Sequence, residues 1–198
     1  MVSRANLIVG LTGGMGCGKS TAAAFFADRG FIRVDSDAMV HDILSNNKEV
    51  IETVRNKFGE DVFSSDGSVR RDRLAERVFG DVEALLWLEE LLHQRVYAEW
   101  RKIFARKDGQ AFIVEVPLLF DKGLENWFDF IICVTTESSL QLRRLEQKGI
   151  PLELAQQRLA KQLPLARKCE LADHVLLNDG SPDFLREQVN VLAGRLLK

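Results

Sequence analysis

An apolar, strand-like run, Leu7-Ile8-Val9-Gly10-Leu11, leads into Gly13-Gly14-Met15-Gly16-Cys17-Gly18-Lys19-Ser20, and Thr21-Ala22-Ala23-Ala24-Phe25-Phe26 then has the composition of a helix. The octapeptide fits GxxxxGK[ST] in the strand, loop and helix context that gives this pattern its meaning. Glycines without Cβ let backbone N–H groups converge on phosphate oxygens, and a helix beginning near Lys19 points the positive end of its dipole at them. The stretch from Gly14 to Thr21 is therefore expected to bind ATP, with Lys19 reaching the β- and γ-phosphates and Ser20 placing its hydroxyl on the Mg²⁺ that bridges them. With glycine at about 7% of residues, a chance match in a chain this long is on the order of 1%. The rival phosphate loop, GxGxxG with an acid about 20 residues on, fails although Asp35 stands in roughly that place: counted from Gly14, the sixth position is Lys19.

Downstream, Gly30 stops the first helix, and Phe31-Ile32-Arg33-Val34 reads as a second strand that ends on Asp35-Ser36-Asp37. On an extended segment two carboxylates at i, i+2 point the same way. One can take a proton from an attacking hydroxyl while the other holds the acceptor or a magnesium water. The alternative is that Asp37 merely caps a helix from Ala38 to Leu44. From 38 to 107 the pattern is nearly all helical, interrupted at Gly59 and at Ser64-Ser65-Asp66-Gly67. Its longest helix is expected to start at Asp81 as N-cap, to run to about Arg106 and to bury Leu85, Leu88, Leu92, Val96, Trp100 and Ile103. About 70 residues of helix is too much for a simple crossover between strands. It reads as an inserted helical subdomain where an acceptor binds.

Ala111-Phe112-Ile113-Val114-Glu115 is a buried strand ending in an acid, and Glu115 is a candidate to orient Mg²⁺ or its waters. In Val116-Pro117-Leu118-Leu119-Phe120-Asp121 the proline ends the strand and three apolar residues look exposed. They form either a core-packing loop or, with Leu118, a hydrophobic wall for a substrate. Phe130-Ile131-Ile132-Cys133-Val134 is another continuous apolar run, and such runs alternating with helices indicate a parallel sheet covered on both faces. From Leu140 to Lys168 the chain is basic and glutamine-rich, with Arg144 and Lys148 on one helix face and Arg143, Arg158, Lys161, Arg167 and Lys168 adding charge. Such a run is either a solvated face or a lid over 140–168 that excludes water and neutralises a transferring phosphoryl group. Asp173 to Asn178 reads as the last strand. Ser181 and Pro182 then open a closing helix that buries Phe184, Leu185, Val189, Leu192 and Leu196.

The chain has 198 residues, enough for one domain with elaborations, and a net charge of -2 that gives no general attraction to nucleic acid or to anionic membranes. No apolar run approaches the length of a membrane span, so the cytoplasm is expected. The cysteines 17, 133 and 169 form no CxxC pair, the histidines 41, 93 and 174 are scattered, and no obligatory protein partner is evident. Cys17 sits where the helix dipole and Lys19 would lower its pKa and give mild redox sensitivity, unless it is simply a small filler of the loop.

Taken together, Gly10-Leu11-Thr12-Gly13-Gly14, Asp35-Ser36-Asp37, Val116-Pro117-Leu118-Leu119-Phe120, Arg158 with Gln162, and Ala172-Asp173 with Asn178-Asp179-Gly180-Ser181 resemble, in order, the dephospho-coenzyme A kinase family. The resemblance implies a three-layer P-loop NTPase fold of the α/β class with a parallel sheet, a helical substrate-binding insertion and a helical lid. It implies ATP-dependent phosphorylation of the ribose 3′-hydroxyl of dephospho-coenzyme A. It also matches Asp35 to a general base, Arg144 to a lid arginine at the ATP phosphates, Asn178 to the neighbourhood of adenine, and His93 to the acceptor. Ser36, Gln94 and Lys148 depart from the family's usual alanine, proline and arginine, and a lysine at 148 cannot make the bidentate phosphate contact of an arginine. Two rival readings are a P-loop kinase for another small molecule or nucleoside monophosphate, and a nucleotide-dependent switch. A guanine-specific switch wants Asn-Lys-x-Asp, and Asn56-Lys57-Phe58-Gly59 fails at the fourth position.

Overall fold

In the computed structural model, residues 5–105 and 108–198 are described, and they divide into two units, one of 5–35 with 108–198 and one of 36–105. The first unit is built on five parallel strands: β1 (Leu7–Gly13), β2 (Ile32–Asp35), β3 (Ala111–Glu115), β4 (Phe130–Thr135) and β5 (His174–Leu177), in the order β2-β3-β1-β4-β5. Side chains alternate across a strand. Val9, Leu11, Ile113, Ile132, Val134 and Leu176 bury one face of the sheet beneath α1 (Lys19–Asp28) and α9 (Pro182–Leu196). On the alternate positions Gly10 is hemmed in by Leu119 and Phe128, where an added Cβ would come within 2.8 Å of Leu119 Cδ1.

The basic stretch is three helices: α6 (Ser138–Gln147), α7 (Leu152–Ala160) and α8 (Leu165–Leu171). The break has a cause, because Gly149 adopts φ 76° and Pro151 precedes α7. Lys148 is the C-cap residue of α6, one position beyond its last helical residue, Gln147. α8 packs on β1 and β4, which buries Lys168 to 1% exposure and removes it from any solvated basic face.

The second unit holds α2 (Ser36–Asn46), α3 (Lys48–Phe58), α4 (Arg71–Val78) and α5 (Val82–Phe104), with α2, α3 and α4 packed on α5. Asp81 caps α5 as expected, its side chain accepting from Ala84 N at 2.9 Å. The buried stripe, however, is Ala84, Leu88, Leu92, Val96 and Trp100, while Leu85 is 41% exposed. Successive residues are turned by about 100°, so a stripe that steps by four from Ala84 leaves Leu85 at its edge. The predicted helix end at Arg106 lies outside the described residues; the last helical residue is Phe104. In α9 the stripe is Leu185, Val189, Leu192 and Ala193, and Phe184 is 45% exposed. Among the described residues no helix is long and apolar enough to cross a membrane.

Candidate active site

Between β1 and α1 the chain turns through three glycines whose positive φ angles a side chain would strain: Gly13 at 140°, Gly16 at 81° and Gly18 at 96°. A Cβ at Gly13 would also lie 2.2 Å from Val134 O. Gly18 stands at the N-cap of α1 without a side-chain cap, and the first turn carries no acid. The start of a helix favours an anion, and no carboxylate in that first turn competes for the place. Lys19 Nζ reaches back across the loop to Gly13 O and Gly14 O at 3.1 and 3.0 Å, while Ser20 and Thr21 are exposed on the first turn.

Cys17 behaves opposite to the sequence expectation. It is fully buried, and burial pushes its thiol pKa up against the opposing influence of Lys19. A buried, protonated thiol is a poor nucleophile, so redox sensitivity loses its basis and the small-filler reading stands.

At the carboxyl ends of the strands, Asp35 and Glu115 are register partners on β2 and β3. Arg33 bridges them, its Nε donating to Glu115 Oε1 at 2.6 Å and its Nη2 to Asp35 Oδ2 at 3.3 Å. Asp37 does not share an extended segment with Asp35. Helix α2 begins at Ser36 and takes Asp37 into its first turn, beyond the N-cap position. Of the apolar residues after β3, Val116, Leu119 and Phe120 are buried, which favours the core-packing loop, and Leu118 is half-buried. Thr12 Oγ1 donates to Pro117 O at 3.2 Å, tying that segment to β1.

Arg144 and Asn178 come together across the loop that follows β5. Arg144 Nη2 donates to Asn178 O at 3.0 Å, and Asn178 Nδ2 donates to Cys17 O at 2.8 Å. Arg144 Nη1 is buried with no hydrogen-bond partner among the described residues. His93 belongs to the helical unit, stacked on Tyr97 with ring centroids 5.8 Å apart.

Three features had no signal in the sequence. Gln141 on α6 donates from Nε2 to Met15 O at 2.7 Å. Lys168 Nζ pairs with Asp121 Oδ2 at 2.9 Å and donates to Pro117 O at 3.0 Å. Arg33 joins the two strand-end acids. Each partner is far away in sequence, and a glutamine, a lysine in a basic run or an arginine in a strand is unremarkable by composition. Beside Gly14 a cavity of about 300 Å³ opens between α6 and α7, lined by Gln141, Gln156, Gln162, Leu142, Leu159 and Leu165.

A parallel sheet in this order, with a phosphate loop running into an uncapped helix and acids at the ends of β2 and β3, defines a P-loop nucleotide-binding protein of the kinase class. The sequence model of the family described as dephospho-CoA kinase matches residues 7–183. The chain belongs to that family. A dephospho-CoA kinase from Corynebacterium efficiens is 34% identical over 195 residues, 96% of this chain and 98% of the relative. Among solved structures, TT1252 from Thermus thermophilus aligns with a TM-score of 0.83 at 33% identity, covering 96% of this chain and 98% of that one. Dephospho-CoA kinase from Campylobacter jejuni aligns with a TM-score of 0.68 at 27% identity, covering 96% and 97%.

Proposed function

We propose that this chain transfers the γ-phosphoryl group of ATP to the ribose 3′-hydroxyl of dephospho-coenzyme A, the last step in making coenzyme A, with the cytoplasm as its compartment. The observation that carries the reading is the family match over residues 7–183. In this reading the N–H groups at the start of α1 and the Lys19 ammonium hold the phosphates, and Asp35 accepts the proton of the attacking hydroxyl. Arg144 supports the charge that develops in the transition state; its buried, unpartnered Nη1 is a spare donor for that task. Asn178 belongs to the segment beside the nucleotide. Asp37 and His93, both in the helical unit, and Leu118 are the acceptor contacts.

Mg²⁺ fits the donor set: the exposed Ser20 hydroxyl would hold it, and Glu115, with Oε1 tied to Arg33, would hold one of its waters through the other oxygen. When bound it neutralises phosphate charge.

Purified protein should consume ATP only when dephospho-coenzyme A is present, with the acceptor gaining the mass of one phosphate. ATP binding without any such gain would sink the substrate and send the search to nucleosides and sugars. Asp35→Asn should lower kcat by roughly 10² to 10⁴ while ATP affinity stays near that of the native enzyme. Equal losses in both would make Asp35 a binding residue.

A further inference from the structure

Four carbonyls of the phosphate loop are held by side-chain donors. Lys19 takes Gly13 O and Gly14 O, Gln141 takes Met15 O at 2.7 Å, and Asn178 takes Cys17 O at 2.8 Å. The last two donors arrive from elsewhere in the chain, one on α6 and one just past β5, and their side chains sit in residues only 5% and 7% exposed. In a trans peptide the C=O of one residue and the N–H of the next point in opposite directions, and the described residues contain no cis peptide. A donor that draws Met15 O outward therefore turns Gly16 N–H the other way, and one that draws Cys17 O outward turns Gly18 N–H. Neither N–H meets an acceptor among the described residues.

We infer that Gln141 and Asn178 are positioning residues that preorganise the phosphate loop, fixing the Met15 and Cys17 carbonyls so that the N–H groups of Gly16 and Gly18 face the phosphate chain of the nucleotide. This rests on the phosphate-loop reading above and adds to it the residues that set the loop's conformation. The glycines serve these clamps as well as the phosphates. A Cβ at Gly14 would fall 2.5 Å from Gln141 Nε2, and one at Gly18 would fall 2.1 Å from Asn178 Nδ2. Asn178 is itself fixed, because its carbonyl accepts from Arg144 Nη2 at 3.0 Å and from Thr136 Oγ1 at 3.1 Å. A loop held in its binding conformation does not lose that freedom again when the anion arrives.

The test separates the phosphates from the base. ADP and base-free inorganic tripolyphosphate are titrated calorimetrically into native protein, Gln141→Met and Asn178→Leu. The clamps predict that each variant weakens both ligands by the same factor, about five- to ten-fold, the worth of one hydrogen bond. The KM for dephospho-coenzyme A should stay close to the native value, which a general loss of packing would not allow. Unchanged binding of both ligands in the variants overturns the proposal. For Asn178, a loss confined to ADP overturns it too, because that pattern marks a contact with adenine. If either variant does not fold, Gln141→Ala and Asn178→Ala carry the same comparison without added bulk. Native protein that binds neither ligand would overturn the phosphate-loop reading itself, and the clamps with it.

Discussion

Polar contacts within the unit that carries the phosphate loop differ in kind from those within the helical unit. In the first, the decisive hydrogen bonds and ion pairs join distant parts of the chain: Asn178 to Cys17, Gln141 to Met15, Arg33 to Glu115, and Lys168 to Asp121. In the second, many are local and exposed, such as the i, i+3 pairs Arg55–Glu52, Arg73–Glu76 and Lys102–Glu99. The second unit gets its fixed form from an apolar stripe along α5 and from caps such as Asn47 and Asp81. The difference teaches where polar residues carry free energy. A buried pair has displaced its water and cannot lose one partner cheaply, whereas an exposed pair exchanges one solvated arrangement for another.

Removing single partners puts that contrast to the test. Lys168→Met leaves Asp121 facing a buried site without its cation, and should cost about 3 to 5 kcal/mol, read as a fall in Tm of roughly 10 °C or more. A shift within 2 °C would mean that the buried pair contributes no more than a surface one, and the contrast would collapse. Arg73→Gln in the helical unit should cost no more than about 0.5 kcal/mol in the same measurement, since both partners of its pair are more than half exposed. A loss as large as that of Lys168→Met would show that this unit too depends on its ion pairs.

The smallest effect concerns pH and the turn between α3 and α4. Ser64 Oγ, Ser68 Oγ and Ser68 N all donate to Asp66 Oδ1, and these hydrogen bonds hold the carboxyl at about 2, below its usual 3.8. A depressed folded-state pKa contributes stability that is fully present above 3.8 and is lost as pH falls through about 2. Carbon-detected NMR titration of the Asp66 carboxyl should give that low midpoint. A midpoint near 3.8 would show that the three donors do not hold it.

Much of the sheet was legible because its strands are short apolar runs bounded by glycine, proline or acids, and because the phosphate loop needs a strand before it and a helix after it. The caps Asp81 and Ser181 were legible for the same reason: the residue types that cap a helix act on backbone groups three positions away. The errors fell where burial depends on the other side of a contact. Leu85 and Phe184 have the right chemistry for a stripe but sit at its edge. Leu119 and Phe120, open in sequence between a core-packing loop and a substrate wall, are buried, Leu119 against Gly10. Lys168 belongs to a basic run in sequence, and the packing of α8 on the sheet buries it. Cys17 failed similarly, since its neighbours in sequence predict a low pKa and its burial reverses the sign.

The sequence by itself determined the phosphate loop, the parallel α/β scaffold, the helical insertion and the candidate acids at the ends of β2 and β3. These follow from local backbone requirements: positive φ at glycines, periodicity of apolar residues, and caps within a single turn. Only the tertiary structure decided which side chains stand behind the loop. Gln141 and Asn178 reach Met15 and Cys17 across 126 and 161 positions of sequence, and Arg33 meets Glu115 because β2 and β3 lie side by side in register. A hydrogen bond is set by distance and angle in space, and no spacing along the chain encodes it when its two ends belong to different elements.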